Sequence, residues 1–181
     1  MKIGAFVGSF NPPHEGHRKV AKHLVDNSIV DLVLFLPTPN YWEKDDLVSF
    51  EDRVNMLKVY EDDNIKVDSV NNQFPYTYQV LRSLKNNYPN DEIFLVIGDD
   101  QLEKLHLWKN IEEILENKII VLKRNNIIPN VNLEKYQYQF IYLDDFDPIK
   151  ISSTEIRNGE LRDIDPKIVD YIKNHSLYVE D

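Results

Sequence analysis

The sequence predicts an α/β protein built on a doubly wound parallel sheet, with a small C-terminal helical segment. Three observations predict it. Short β-branched apolar runs alternate with amphipathic stretches along the chain. The run Ile93 to Ile97 is apolar without interruption, the pattern of a central parallel strand covered on both faces. Three unusual segments, Gly8 to His17, Gly98 to Asp100 and Ile151 to Arg157, each follow a strand-like run, and such sheets bind ligands at the carboxyl ends of their strands.

The elements follow in order. Ile3 to Val7 reads as the first strand, and a Gly/Pro-rich loop leads to a helix from about Gly16 to Asn27. On that helix Val20 with Leu24, and Ala21 with Val25, share one face by i, i+4 spacing. Asp31 to Leu36 is a second strand, ended by Pro37 and Pro39, and a loop containing Tyr41 to Asp46 follows. Ser49 can cap the next helix, with Asp52 at the capping-box position and Val54 and Leu57 on the buried side. Ile65 to Val70 reads as a strand and Tyr76 to Tyr88 as a helix with Val80, Leu81 and Leu84 inward. After the 93–97 strand come a short helix at Ile111 to Leu115 and strands at Ile119 to Leu122 and Gln139 to Leu143. Two closing helices begin near Ser153 and Pro166, the second with proline in its first turn, where its missing N–H costs nothing. There is no repeat, low-complexity tract or Gly/Ser linker, so residues 1–181 are expected to form one domain, with the helices of about 153–181 packed on it.

Composition narrows the function. A chain of 181 residues, 42% hydrophobic and 29% charged, can bury a real core. With no cysteine, disulfides, thiolate metal sites and cysteine nucleophiles are excluded. Met1 to Val7 is too short and too quickly interrupted for a signal peptide, and no apolar run nears the ~18 residues of a membrane span. The cytoplasm is the expected address, with no membrane partner. The net charge of −10 argues against a nucleic-acid surface. It argues more weakly against a small phosphorylated substrate, which needs only a local nest of donors and usually brings a divalent cation.

The first loop carries chemistry. Gly8 allows a tight turn after the strand, Pro12 and Pro13 stiffen the connection, and Gly16 permits close approach at the helix start, where free N–H groups favour an anion. His14 and His17 lie three apart, so both imidazoles can face one point and donate to phosphate oxygens. The bland alternative is a helix start with two surface histidines. The spacing is one residue too short for the His-Glu-x-x-His zinc helix, and the loop is neither a Walker A sequence nor a GxGxxG fingerprint. In the second segment, Ser152 and Glu155 fit a capping box. That box leaves unexplained the run of hydroxyls at Ser152, Ser153 and Thr154, with Arg157 a turn later, which also makes a phosphate nest.

Together, Gly-Ser-Phe-Asn-Pro-Pro-His-x-Gly-His and the late Ile-Ser-Ser-Thr-x-Ile-Arg resemble the HxGH nucleotidyltransferase superfamily, and specifically its nicotinate or nicotinamide mononucleotide adenylyltransferases. The resemblance runs through Phe74-Pro75-Tyr76-Thr77, Phe94 to Asp100, Leu107-Trp108-Lys109, Val121 to Arg124 and Ile168 to Tyr178, in the family's order. It implies a Rossmann-like fold and transfer of the adenylyl group of ATP to a pyridine mononucleotide, in NAD biosynthesis. His14, His17 and Arg157 would be catalytic, with Gly8, Ser9, Gly98, Asp100, Ser153 and Thr154 joining them around ATP. Ser9, Phe10, Lys44, Thr77 and Trp108 would hold the mononucleotide, Trp108 by stacking on the cationic ring. Mg²⁺ would arrive with ATP, without a dedicated protein cage. A homo-oligomer is compatible with the resemblance.

Departures bear on the acceptor. The nicotinate enzymes carry Gly-Gly-Thr-Phe-Asp-Pro where this chain has Val7-Gly8-Ser9-Phe10-Asn11-Pro12, a form closer to the nicotinamide-using branch. Of their Pro-Pro-His-Lys segment only Lys44 survives in Tyr41-Trp42-Glu43-Lys44, so Trp42 could replace or supplement Trp108. Nicotinate mononucleotide is the expected acceptor, with nicotinamide mononucleotide the alternative. Phosphopantetheine adenylyltransferase and cytidylyltransferases are further readings, weakened by Tyr76-Thr77 together with Gly98-x-Asp100 and Trp108, and a non-catalytic nucleotide sensor is another, weakened by the presence of both His17 and Arg157.

Overall fold

The computed structural model describes residues 1–40, 46–143 and 152–179. Six parallel strands form one sheet: β1 Lys2–Gly8, β2 Leu32–Pro37, β3 Ile65–Val67, β4 Glu92–Gly98, β5 Lys118–Leu122 and β6 Phe140–Leu143. Their spatial order is β3-β2-β1-β4-β5-β6, so the chain starts in the middle, builds one edge, then returns to build the other. The reversal falls between β1 and β4, and it opens a crevice at their carboxyl ends.

Side-chain alternation along the strands divides the core into two layers. Phe6, Val33, Phe35, Phe94, Val96, Ile120 and Leu122 face one side. There they meet α1 (Glu15–Asp26), α2 (Phe50–Leu57) and the C-terminal α5 (Ser153–Arg157) and α6 (Pro166–Asn174), through Val20, Leu24, Met56, Ile156, Ile168 and Ile172. Ile3, Ala5, Leu34, Leu36, Ile93, Leu95, Ile97, Ile119 and Val121 face the other, against α3 (Thr77–Asn87) and α4 (Ile111–Ile114). Burying one such Leu or Ile contributes ~1.5–3 kcal/mol, and with strands covered on both sides the apolar runs of β4 and β5 are explained. Both predictions, the doubly wound sheet and the small C-terminal helical segment, hold. Among the described residues no helix is long and apolar enough to cross a membrane.

Three local expectations are corrected. β3 stops at Val67 rather than Val70, because the Asp68 carboxylate accepts the N–H groups of Val70 and Asn71 at 2.9 and 2.8 Å and turns the chain. Before β6 lies a 3₁₀ stretch, Val131–Gln139, which takes Gln139 out of the predicted strand. Ser49 caps α2 by accepting the Asp52 N–H at 3.0 Å, but its hydroxyl also donates to the Asp52 carboxylate at 2.7 Å in place of the reciprocal backbone bond.

Candidate active site

The β1 strand pairs Gly8 with Pro37, and the chain then folds sharply back. A Cβ on Gly8 would press to 3.2 Å on the Phe10 ring, so glycine leaves room for the turn. Phe10 adopts φ 48°, a left-handed conformation held by burial among Phe6, Phe35 and His17 at ring-centroid distances of 5.5, 5.3 and 4.9 Å. The Asn11–Pro12 peptide is cis.

At the start of α1 the two histidines cap the helix together. His14 Nδ1 accepts the Gly16 N–H at 3.0 Å, and His17 Nδ1 accepts the His14 N–H at 3.1 Å. Each bond consumes the acceptor nitrogen, which assigns the ring proton to Nε2 in both residues. The rings stack at 3.8 Å with 28° between their planes. The expected convergence on one point is therefore a stack, with His17 lining the crevice and the nearly buried His14 behind it. Burial, then the Arg124 charge, lower His14 to about 4 against the opposing pull of Asp163 and Glu155. Burial, His14 and Arg124 hold His17 well below its ordinary value. At neutral pH both are neutral Nε2–H donors.

The second segment meets the first, as the sequence predicts. Ser152 forms the expected capping box with Glu155, accepting its N–H at 3.2 Å while its own N–H donates to the Glu155 carboxylate at 2.7 Å. The box opens α5 so that the Ser153 hydroxyl donates to the Pro12 carbonyl at 2.8 Å and Arg157 to the Asn11 carbonyl at 2.7 Å. Arg157 also donates to the Thr154 hydroxyl at 3.1 Å and pairs with Asp46 at 2.8 Å.

Gly8, Ser9, Phe10, His17, Gly98, Asp100 and Ser153 line one cavity of about 200 Å³ at the β1/β4 reversal, together with Arg124. A Cβ on Gly98 would displace the Asp100 carboxylate from its place beside the strand end. Thr154 and Arg157 open instead onto a neighbouring cavity of about 420 Å³ with Asp46 and Tyr178. Thr77 and Trp108 come together in a third, of about 500 Å³, with Tyr76 and Lys109, whose ammonium lies 4.5 Å from the Tyr76 ring centre. Lys44 and Trp42 lie outside the described residues, as does Ile151.

Several site residues escape sequence reasoning. Arg124 lies two residues past the end of β5, at the carboxyl side of the sheet, so the strand-end rule that flagged Gly98 also covers it. Asn11 is nearly buried and gathers the loop: its amide donates to the Asp46 carbonyl at 2.8 Å, and its side-chain oxygen accepts from Val48 N–H at 3.3 Å and the Tyr178 hydroxyl at 2.6 Å. Arg53, fully buried, donates to the carbonyls of Ser9 and Val48 at 2.9 and 3.1 Å and to the Asn40 amide oxygen at 2.7 Å. Nothing in its helical context distinguishes it from a surface arginine. Among the described residues no three His, Asp or Glu side chains cluster as a metal cage, and Asp100 is the carboxylate at the cavity.

A doubly wound sheet with a paired-histidine helix cap at its strand reversal defines a nucleotidyltransferase, and the cytidylyltransferase-like family model matches residues 5–159. A probable nicotinate-nucleotide adenylyltransferase of Flavobacterium johnsoniae is 34% identical over 98% of this chain and 99% of its own length. One of Borrelia hermsii is 35% identical over 99% of each. The chain belongs to the nicotinate-nucleotide adenylyltransferase family. The Plasmodium falciparum nicotinic acid mononucleotide adenylyltransferase complexed with NaAD superposes with a TM-score of 0.77 over 98% of this chain and 97% of that one, at 20% identity, a likeness of fold.

Proposed function

We propose that the chain transfers the adenylyl group of ATP to the phosphate of nicotinate mononucleotide, giving the deamido dinucleotide and pyrophosphate. A phosphate oxygen of the mononucleotide attacks the α-phosphorus of ATP. The bond from that phosphorus to the bridging oxygen breaks, and pyrophosphate leaves with the electron pair. The attacking group is already an anion, so no general base is needed and catalysis is positioning with charge stabilisation. The observation that carries the reading is the cavity at the strand reversal, where an imidazole fixed as an Nε2–H donor meets Ser153 and the Arg124 guanidinium.

In this reading His17 donates to the phosphates from the crevice with His14 stacked behind it as its support, and Ser153, Thr154 and Arg157 hold the triphosphate from the α5 side. An arriving phosphate oxygen replaces the Asp46 carboxylate now paired with Arg157. Gly8 and Ser9 allow the nucleotide close to the backbone, and Gly98 with Asp100 face the ATP ribose. Ser9 and Phe10 offer backbone contacts to the mononucleotide, whose ring lies between Thr77 and Trp108. Mg²⁺ bound to ATP would supply neutralisation of the charge on the departing pyrophosphate. The Lys109 ammonium in the ring cavity favours the acid over the amide, because a carboxylate gains an ion pair there and a carboxamide does not.

The test supplies ATP–Mg²⁺ with nicotinate or nicotinamide mononucleotide and follows pyrophosphate. Release requires a mononucleotide, and kcat/KM is higher for the acid. Lys109→Met lowers kcat/KM for the acid about tenfold and leaves that for the amide. His17→Ala lowers kcat by roughly 10²–10³. Full turnover in His17→Ala sinks the mechanism, and release without any mononucleotide sinks the acceptor.

A further inference from the structure

Asp99 follows Gly98 at the end of β4 and is fully buried, while its neighbour Asp100 lines the cavity. Its Oδ2 accepts the backbone N–H groups of Asn125 at 2.8 Å, Arg124 at 3.0 Å and Ile127 at 3.4 Å. Its Oδ1 is buried with no partner among the described residues. Burial opposes ionisation, but the N–H groups of Asn125, Arg124, Ile127 and Asn126 outweigh it and hold the carboxyl below the usual range. A buried carboxylate that leaves one oxygen unpaired is an expensive way to close an ordinary turn. What it secures is the segment leaving β5, the parallel neighbour of β4 in which Leu122 pairs with Gly98. That segment carries Arg124. Arg124 lines the cavity at the strand reversal, and its guanidinium makes no hydrogen bond or ion pair to a described residue.

We propose that Asp99 is a positioning residue: by gathering the backbone N–H groups of residues 124–127 it fixes the loop after β5 and holds the unpaired Arg124 cation in the cavity beside His17. The proposal rests on the reading of that cavity as part of the triphosphate site, and extends it by naming what places its arginine. Charge-assisted hydrogen bonds are about twice as strong as neutral ones, so one ionised oxygen can anchor several N–H groups.

The histidines report where Arg124 stands, because its charge opposes their protonation while Asp163 and Glu155 favour that of His14. In the ligand-free protein, followed by NMR, Asp99→Ala shifts the His14 and His17 titrations upward, to the positions seen in Arg124→Met. Asp99→Asn keeps an acceptor oxygen without the charge and preserves the fold, and its weaker neutral bonds leave the titrations between those of the unaltered chain and of Asp99→Ala. In turnover, Asp99→Ala and Arg124→Met each raise KM for ATP about tenfold with KM for the mononucleotide unchanged, and the double variant is no worse than either. Multiplying effects in the double variant, or unshifted histidines in Asp99→Ala, overturn the proposal. If the unaltered chain shows no adenylyl transfer, the function fails and the ligand-free titrations alone still decide whether Asp99 places Arg124. Should Asp99→Ala not fold, Asp99→Ser takes its place, with the same upward shift expected and the same unshifted result counting against it.

Discussion

At the scale of single residues, the histidine pair joins folding to chemistry through one proton. Each Nδ1 accepts a backbone N–H, so protonation of either ring removes a helix cap and creates a buried charge at once. His14 titrates near about 4 in the folded chain and near 6.5 when unfolded. Between those values the unfolded chain carries the extra proton and the folded chain does not. Stability from this group is therefore complete above 6.5 and is lost as pH falls toward 4, by ~3 kcal/mol in all. His14→Asn, which keeps a capping side chain without a titrating ring, should flatten urea-derived stability over that window relative to the unaltered chain. Parallel curves would show that His14 already titrates normally. The sequence made the pair legible as candidate phosphate donors, from its spacing and its place at a helix start. It could not reveal the stack or the tautomers, because these depend on which backbone N–H each ring meets.

At the scale of elements, strands were legible where a continuous apolar run coincides with burial on both faces, as in Ile93 to Ile97. They were overextended where a side chain ends the pairing, as Asp68 does after Val67. The 3₁₀ stretch Val131–Gln139 was not foreseen, since only Leu133 of it is buried and no amphipathic period marks it. Helix α2 shows a similar blind spot. Its amphipathic pattern predicts Val54 and Leu57 inward, yet Arg53 beside them is fully buried, and its guanidinium joins Ser9 of the first loop to Asn40 and Val48. Burial lowers this arginine to about 10, so it stays a cation at working pH, held by three oxygens rather than a carboxylate among the described residues. Arg53→Met keeps the length of the stem but leaves three acceptors without a donor. The expected loss is roughly 3–5 kcal/mol, or a melting temperature lower by about 10 °C. Activity should fall further than stability explains when measured well below the transition, since the Ser9 peptide loses its anchor. A variant that melts normally would show that water replaces the guanidinium without cost.

At the scale of the whole molecule, the meeting of three strand-end segments was legible because a parallel sheet brings all its carboxyl ends to one edge. The strand order then decides which ends are adjacent, and it brings Gly8 and Gly98 to either side of one crevice. Contacts that close the chain on itself had no such rule. Tyr178, 167 residues beyond Asn11, donates its hydroxyl to the Asn11 side-chain oxygen at 2.6 Å, and burial raises that phenol far above its ordinary range. Asn11 in turn presents the carbonyl that Arg157 holds, so the end of the chain braces the loop near its beginning. No local period or spacing encodes a contact of that span. Tyr178→Phe removes one buried hydroxyl while keeping the ring, so the stability cost should be ~1 kcal/mol. Its effect on catalysis should be larger in proportion: kcat several-fold lower, with KM for the mononucleotide unchanged, because the brace acts on the first loop, the proposed phosphate site, and not on the ring cavity of Thr77 and Trp108. Equal losses in kcat and in stability of Asn11→Ala and Tyr178→Phe, with no further loss in the double variant, would establish the two side chains as one unit. A Tyr178→Phe protein with unaltered kcat would instead make the tail a packing element only, and the loop would owe its shape to Arg157, Ser153 and Arg53 alone.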